Sequence, residues 1–270
     1  MKIRYIASIM LTLFIVIGMH SYVFKQIIER KEFMNTIIKD EMYEKKDYVL
    51  RTVEVPIVES KRGQGNEIGN RKKVAITFDD GPSERITPNI LDILERYNAR
   101  ATFFLLGQNT LLNKNIVKRI HDSNHEIGNH SFSHKDFTSI GNDEIMQEIA
   151  RTDHEIFEII GQKPKYVRVP YGSTNHILST MINRPLIQWS VDSKDWESKN
   201  KYSIIEEIKN GLHPGAIVLM HDIQAATAEA LPDVLDYIHN EGYEIVTVSE
   251  ILDYPIEPFE YYSVNDIRKK

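Results

Sequence analysis

The chain reads as an α/β protein built on parallel strands, and two observations predict this. From residue 72 onward, short apolar segments rich in β-branched and aromatic residues alternate with longer segments of helical periodicity. The first apolar segment, at 74–78, runs five residues of strand propensity straight into Asp79-Asp80 and is then broken by Gly81-Pro82. Seven strand segments are expected, at 74–78, 101–106, 125–128, 166–169, 186–191, 216–220 and 244–248. Helices are expected at 87–97, 111–123, 143–160, 175–182, 204–210 and 226–240. In the 143–160 segment, Ile145, Ile149, Ile156 and Ile160 fall on one stripe. This alternation fits either an open α/β sheet or an incomplete barrel.

Before that region, Lys2 and Arg4 precede an uncharged run at 5–24. Twenty residues at 1.5 Å rise make about 30 Å, the thickness of a bilayer core. The run reads as an uncleaved signal anchor or a cleaved signal peptide, and either one exports the remainder. Its length and the lack of an Ala-x-Ala site favour the anchor. Residues 25–71 are rich in Lys and Glu and read as a charged spacer, with Gly63 and Gly65 in a linker-like stretch. Residues 72–255 make the folded domain, and 256–270 a polar tail assigned no element.

Composition narrows the chemistry. The 270 residues are 41% hydrophobic and 27% charged, with a net charge of -6. That balance is globular and offers no basic field for nucleic acid. Cysteine is absent, so thiolate chemistry and Cys-ligated zinc are excluded, and a metal would have to be held by His and carboxylate.

The strand ends carry the chemical groups. The first strand runs into Asp79-Asp80-Gly81-Pro82, two carboxylates at a strand end followed by a break. After the third comes His130-Ser131-Phe132-Ser133-His134. Taken with Asp80, its two imidazoles and a carboxylate are a sensible ligand set for zinc or another divalent ion. Arg168-Val169-Pro170-Tyr171-Gly172 offers a cation to pair with a carboxylate, and a turn whose N–H groups can receive an oxyanion. Asp192-Ser193-Lys194-Asp195-Trp196 supplies two acids and an aromatic platform, and Leu219-Met220-His221 delivers one more imidazole. Each segment alone also reads as an ordinary turn, ion pair or structural His. Five in sequence, all at strand ends, point to one site.

These five motifs, in this order, resemble those of the polysaccharide deacetylases with a NodB-like domain, carbohydrate esterase family four. The resemblance covers about residues 72–252. It implies a distorted, incomplete (β/α) barrel with the site at the carboxyl ends of the strands. It also implies a metal-dependent hydrolase that removes N-acetyl groups from a glycan. By that resemblance Asp79 is the general base, and Asp80, His130 and His134 hold a divalent metal, with zinc preferred over cobalt, nickel or manganese. Arg168 pairs with Asp79, the Tyr171 N–H helps form the oxyanion hole, and Asp195 orients His221 as general acid. Trp196 and Leu219 line the acetyl pocket, with Pro170 and Tyr171 also on the substrate side, and Asp192 supports the loop. Val169 stands where many relatives have a second proline. The expected substrate is N-acetylglucosamine in a cell-surface glycan, foremost peptidoglycan. Chitooligosaccharide or poly-N-acetylglucosamine, an acetylated xylan, and a catalytically dead glycan binder are the rivals.

Overall fold

The computed structural model describes residues 72–269. The expected anchor at 1–24 and spacer at 25–71 lie outside the described residues, among which no helix is long and apolar enough to cross a membrane. The central strand is β1 (Lys72–Asp79), and every residue from Val74 to Asp79 is buried. Around it stand β2 (Thr102–Leu105), β3 (Glu126–Asn129), β4 (Leu186–Ile187), β5 (Val191–Asp192), β6 (Ala216–His221) and β7 (Tyr243–Val246). The order β3-β2-β1-β6-β5 is parallel throughout, and β7 pairs with the first half of β1, below β2. An α/β fold on parallel strands is therefore what the chain adopts.

The central strand is buried on both faces. Val74, Ile76 and Phe78 point outward and pack with Val218 and Met220 of β6 beneath the helices. Ala75 points inward toward Phe104, Tyr166 and Ile217. The outer layer comprises α1 (Thr87–Arg96), α2 (Gly107–Leu112), α3 (Lys114–Asp122), α4 (Asn142–Ile160), α5 (His176–Ile182), α6 (Asp195–Ser198), α7 (Lys201–Gly211), α8 (Ala225–Asn240) and α9 (Val248–Ile251). Local sequence sets several ends. The Asn200 side chain accepts from the Tyr202 and Ser203 N–H groups to start α7, and Thr247 and Glu250 form a capping box on α9. Gly161, at φ 70°, ends α4.

Four expectations are corrected. The 166–169 strand is only a single-residue bridge, Val167 pairing with Asn129 on one side and Leu186 on the other, because Pro170 has no N–H to extend a ladder. The 186–191 strand divides into β4 and β5 because it changes neighbours. The Gln188 N–H bonds Tyr261 O, whereas the Ser190 N–H bonds Ile217 O. The 111–123 helix is two helices, broken at Asn113, whose side chain bonds Pro82 O. Finally, the polar segment after residue 255 forms β8 (Glu260–Tyr261) and β9 (Ile267–Arg268), a pair that docks on β4 and buries Tyr261.

Strand register brings the chemical groups to one level. Asp79 lies beside His221 of β6 and Phe104 of β2, and Leu105 lies beside Asn129 of β3. Residues 80, 130 and 222 therefore leave the sheet at one end, and the interior positions Thr77 and Asp79 open toward it.

Candidate active site

A cavity of about 420 Å³ opens at that end, lined by Asp79, Asp80, His130, His134, Tyr171 and His221 together with Val169, Gly172, Trp189, Asp192, Trp196 and Leu219. Three groups of side chains meet there.

The first is built on the Asp80 turn and the loop after β3. Nε2 of His130 and of His134 lie 3.5 and 3.4 Å from Asp80 Oδ1. One ligand atom from each of the three residues falls within 4.8 Å of the others. His130 Nδ1 is 2.7 Å from Arg168 O, and a carbonyl only accepts, so Nδ1 carries the proton and Nε2 turns its lone pair inward. Burial, followed by the neighbouring His130, lowers the pKa of His134 and favours its neutral imidazole. Asp80 Oδ1 is buried without a hydrogen-bond partner among the described residues. An orphaned carboxylate oxygen between two imidazole nitrogens, at separations expected for ligands about 2.1 Å from one centre, fits a divalent cation. Asp80, Ser131 and His134 all have positive φ (74°, 70° and 61°), so the loops are strained where the ligand atoms converge.

Supports for this group lie outside the five motifs. Glu148 accepts from the Phe132 and Ser133 N–H groups and from the Ser133 hydroxyl, and Asn129 Oδ1 accepts from the Ser131 N–H. Glu148 did leave a signal. It sits on the buried stripe of α4 with Ile145, Ile149, Thr152 and Ile156, where a carboxylate needs a partner.

The second group is a buried ion pair. Arg168 is fully buried, and its Nη1 donates to Asp79 Oδ1 and Thr77 Oγ1, both at 2.7 Å. Its Nε and Nη2 donate to the carbonyls of Ile187 and Gln188, both at 3.0 Å, and its guanidinium lies 4.2 Å from the Phe104 ring. Burial lowers the Arg168 pKa and Asp79 opposes the fall. Asp79 Oδ2 is left facing His130 Nε2 at 3.6 Å.

The third group is Asp195 with His221. Asp195, fully buried, receives His221 Nδ1 at 2.6 Å and the Trp196 N–H at 2.8 Å on Oδ1. On Oδ2 it receives the His221 N–H at 2.7 Å and the Thr227 hydroxyl at 2.5 Å. Burial alone would lower the His221 pKa, but the hydrogen bond and charge of Asp195, aided by Asp79 and Asp80, outweigh it and raise the value to about 9. Thr227 carries no motif and was invisible in the sequence. Next in the chain, Asp222 is buried beneath Gly81, and burial pushes its carboxyl up to about 7.

Tyr171 has φ 60° inside the 3-10 turn Pro170–Gly172. The Gly172 and Ser173 N–H groups are taken by Val169 O and Pro170 O, leaving the Tyr171 N–H without a hydrogen-bond partner among the described residues. Its ring packs edge-on against His134, with centroids 4.5 Å apart. Trp196 is half exposed at the cavity mouth and Leu219 is buried in its wall. Asp192 spends Oδ1 on the Lys194 N–H at 2.8 Å, as expected of a loop support, yet it also lines the cavity. Pro170 is buried in the turn and does not line the cavity. Every other expected site residue except Arg168 and Asp195, which stand directly behind it, is in the cavity wall.

Residues 66–184 match the polysaccharide deacetylase family. Peptidoglycan-N-acetylglucosamine deacetylase PgdA of Listeria monocytogenes serotype 1/2a (strain 10403S) is 39% identical over 206 residues, 76% of this chain and 43% of that protein. The chain thus spans less than half the length of that relative. The solved structure of peptidoglycan deacetylase PdaC from Bacillus subtilis is 36% identical at a TM-score of 0.67, covering 68% of this chain and 92% of that one. A family 4 acetyl xylan esterase from Clostridium thermocellum, in complex with a cobalt ion, is 34% identical at a TM-score of 0.69, covering 72% of this chain and all of that one. The chain belongs to the polysaccharide deacetylase family.

Proposed function

We propose that this protein is an exported, metal-dependent N-deacetylase acting on N-acetylglucosamine units of peptidoglycan. The observation that carries the reading is the meeting, in one cavity, of a carboxylate with one free oxygen, a three-residue ligand set and a cationic imidazole. Amide hydrolysis needs all three, because an amide is a poor electrophile and its amine a poor leaving group.

Asp80, His130 and His134 would hold the divalent ion, zinc by preference. That ion, when bound, supplies Lewis-acid polarisation of the acetyl carbonyl and acidifies water. Asp79, oriented by Arg168 on Oδ1, takes a proton from the attacking water on Oδ2. The Tyr171 N–H receives the charge that builds on the carbonyl oxygen. As the C–N bond breaks, His221, kept protonated by Asp195, gives its proton to the departing nitrogen, so acetate and a free amino sugar result. Trp196 and Leu219 enclose the acetyl methyl, and Trp196 offers its exposed face to the sugar.

The fold is read as a distorted barrel. The Val167 bridges join β3 to β4, and the chain from β4 to β5 returns to β6. The domain is placed at 72–255 with β8 and β9 packed on its β4, on a spacer at 25–71 and an anchor at 1–24 that would hold it beside a surface glycan. The relatives' names support peptidoglycan as substrate, and the xylan esterase likeness makes O-acetyl xylan the second reading.

The test is acetate release from purified peptidoglycan, chitooligosaccharide and acetylated xylan in parallel, with EDTA and metal add-back. Muramidase digestion and mass spectrometry then locate the deacetylated sugar. EDTA-sensitive release from the glucosamine residue of peptidoglycan is expected. Release only from xylan or chitin would replace the substrate, and silence on all three with metal bound would leave a glycan-binding role.

A further inference from the structure

We propose that Asp222, which takes no part in the proton transfers of the deacetylation, is a positioning residue that fixes the Asp79-Asp80-Gly81 turn against the end of β6. The proposal rests on the reading of Asp80 as a metal ligand. The two strands finish side by side, with Asp79 level with His221, and the Asp222 N–H donates to Asp79 O at 3.3 Å. The Asp222 side chain is fully buried and lies flat against Gly81. A Cβ built there would stand 2.1 Å from Oδ2 and 2.3 Å from Oδ1. Gly81 does not have positive φ, so this contact, not backbone conformation, makes glycine necessary at 81.

The carboxyl is also tied to the chain beyond the turn. The Thr87 hydroxyl, in the first turn of α1, lies 2.5 Å from Asp222 Oδ2 and accepts the Ser83 N–H at 2.7 Å. On its opposite side the turn is held by the Asn109 side chain on Asp80 O at 2.7 Å and by the Leu106 N–H on Gly81 O at 3.0 Å. Asp80, at φ 74°, is thus gripped in a sparsely populated conformation from two sides. Asp222 Oδ1 is buried without a hydrogen-bond partner among the described residues, a cost that an apolar side chain of similar size would avoid. The cost is understandable if a flat, hydroxyl-tethered group is what seats Gly81, and through it the Asp80 carboxylate, opposite His130 and His134.

The test is Zn²⁺ affinity of the full chain by chelator competition, alongside thermal melting. Asp222→Ala should weaken Zn²⁺ binding by about 10- to 100-fold, the range for groups that orient metal ligands. Asp222→Asn, which keeps the shape and the tie to Thr87, should stay within about threefold of the wild type by the same reasoning. An Ala variant that melts earlier but binds Zn²⁺ as the wild type does would reduce Asp222 to packing. Equal losses in Ala and Asn would assign its effect to charge and overturn the proposal. If Asp222→Ala does not fold, Thr87→Val cuts the tether alone. Weaker Zn²⁺ binding is then expected, and unchanged affinity overturns the proposal. Asp80→Asn is the control: undiminished Zn²⁺ affinity there would break the underlying ligand reading, a result distinct from any given by residue 222.

Discussion

Asp79 and Asp195 are both buried aspartates at the same end of the strands, each paired with a cation, yet they are spent differently. Asp195 receives four donors, two on each oxygen, and has no lone pair aimed at the cavity. Asp79 receives Arg168 on Oδ1 and turns Oδ2 toward the ligand set, 3.6 Å from His130 Nε2. Burial and an ion pair are common to the two. What separates a group that can take a proton from one that holds another group in place is the count of unspent lone pairs. The cations differ to match. Arg168 cannot release its proton and is locked by four hydrogen bonds, whereas His221 presents a titratable ring to the cavity.

Asp79→Asn tests that contrast most severely. If Asp79 is the base, turnover should fall by about 10³-fold or more, because its Oδ2 is the oxygen turned toward the ligand set. Zn²⁺ affinity should stay within a few-fold of the wild type. Loss of the metal instead would mean that Asp79 is the ligand and Asp80 the base.

Asp195→Asn should lower kcat by about 10²-fold and move the pH–rate profile. The sign is set by the role. A general acid works protonated, so activity is lost as pH rises through its pKa, about 9 for His221 with Asp195 ionised. Without that charge, burial dominates and the alkaline limb should fall by roughly two pH units or more. An unmoved limb would remove His221 from the rate-determining proton transfer.

Thr227→Val should have the smallest effect. It removes one of four donors from Asp195, leaving the carboxylate a stronger partner for the imidazolium. The alkaline limb should rise by less than about one pH unit, with kcat down by about three- to tenfold. A loss as large as that of Asp195→Asn would show that the four bonds act as one unit.

Much of this site was legible along the chain because each motif is local. A strand reads as an apolar run, its end is marked by Gly-Pro or a polar cluster, and His-x3-His falls within one loop. Elements that depend on distant partners were less legible. The 166–169 segment looks like a strand by composition, but only Val167 pairs, because Pro170 stops the ladder. The pair β8 and β9 looked like a polar tail, since two-residue strands carry no periodicity to read.

The sequence by itself determined the class of fold, the five motifs and the residues able to hold a metal, because those are properties of residue type and short spacing. The tertiary structure alone decided that Asp79 stands level with His221, that Asp195 is saturated while Asp79 is not, and that Thr227, Glu148 and Asp222 brace the site. The physical reason is that periodicity encodes which face of an element is buried. It does not encode which distant segment meets that face, and hydrogen-bond saturation is settled only when the segments meet.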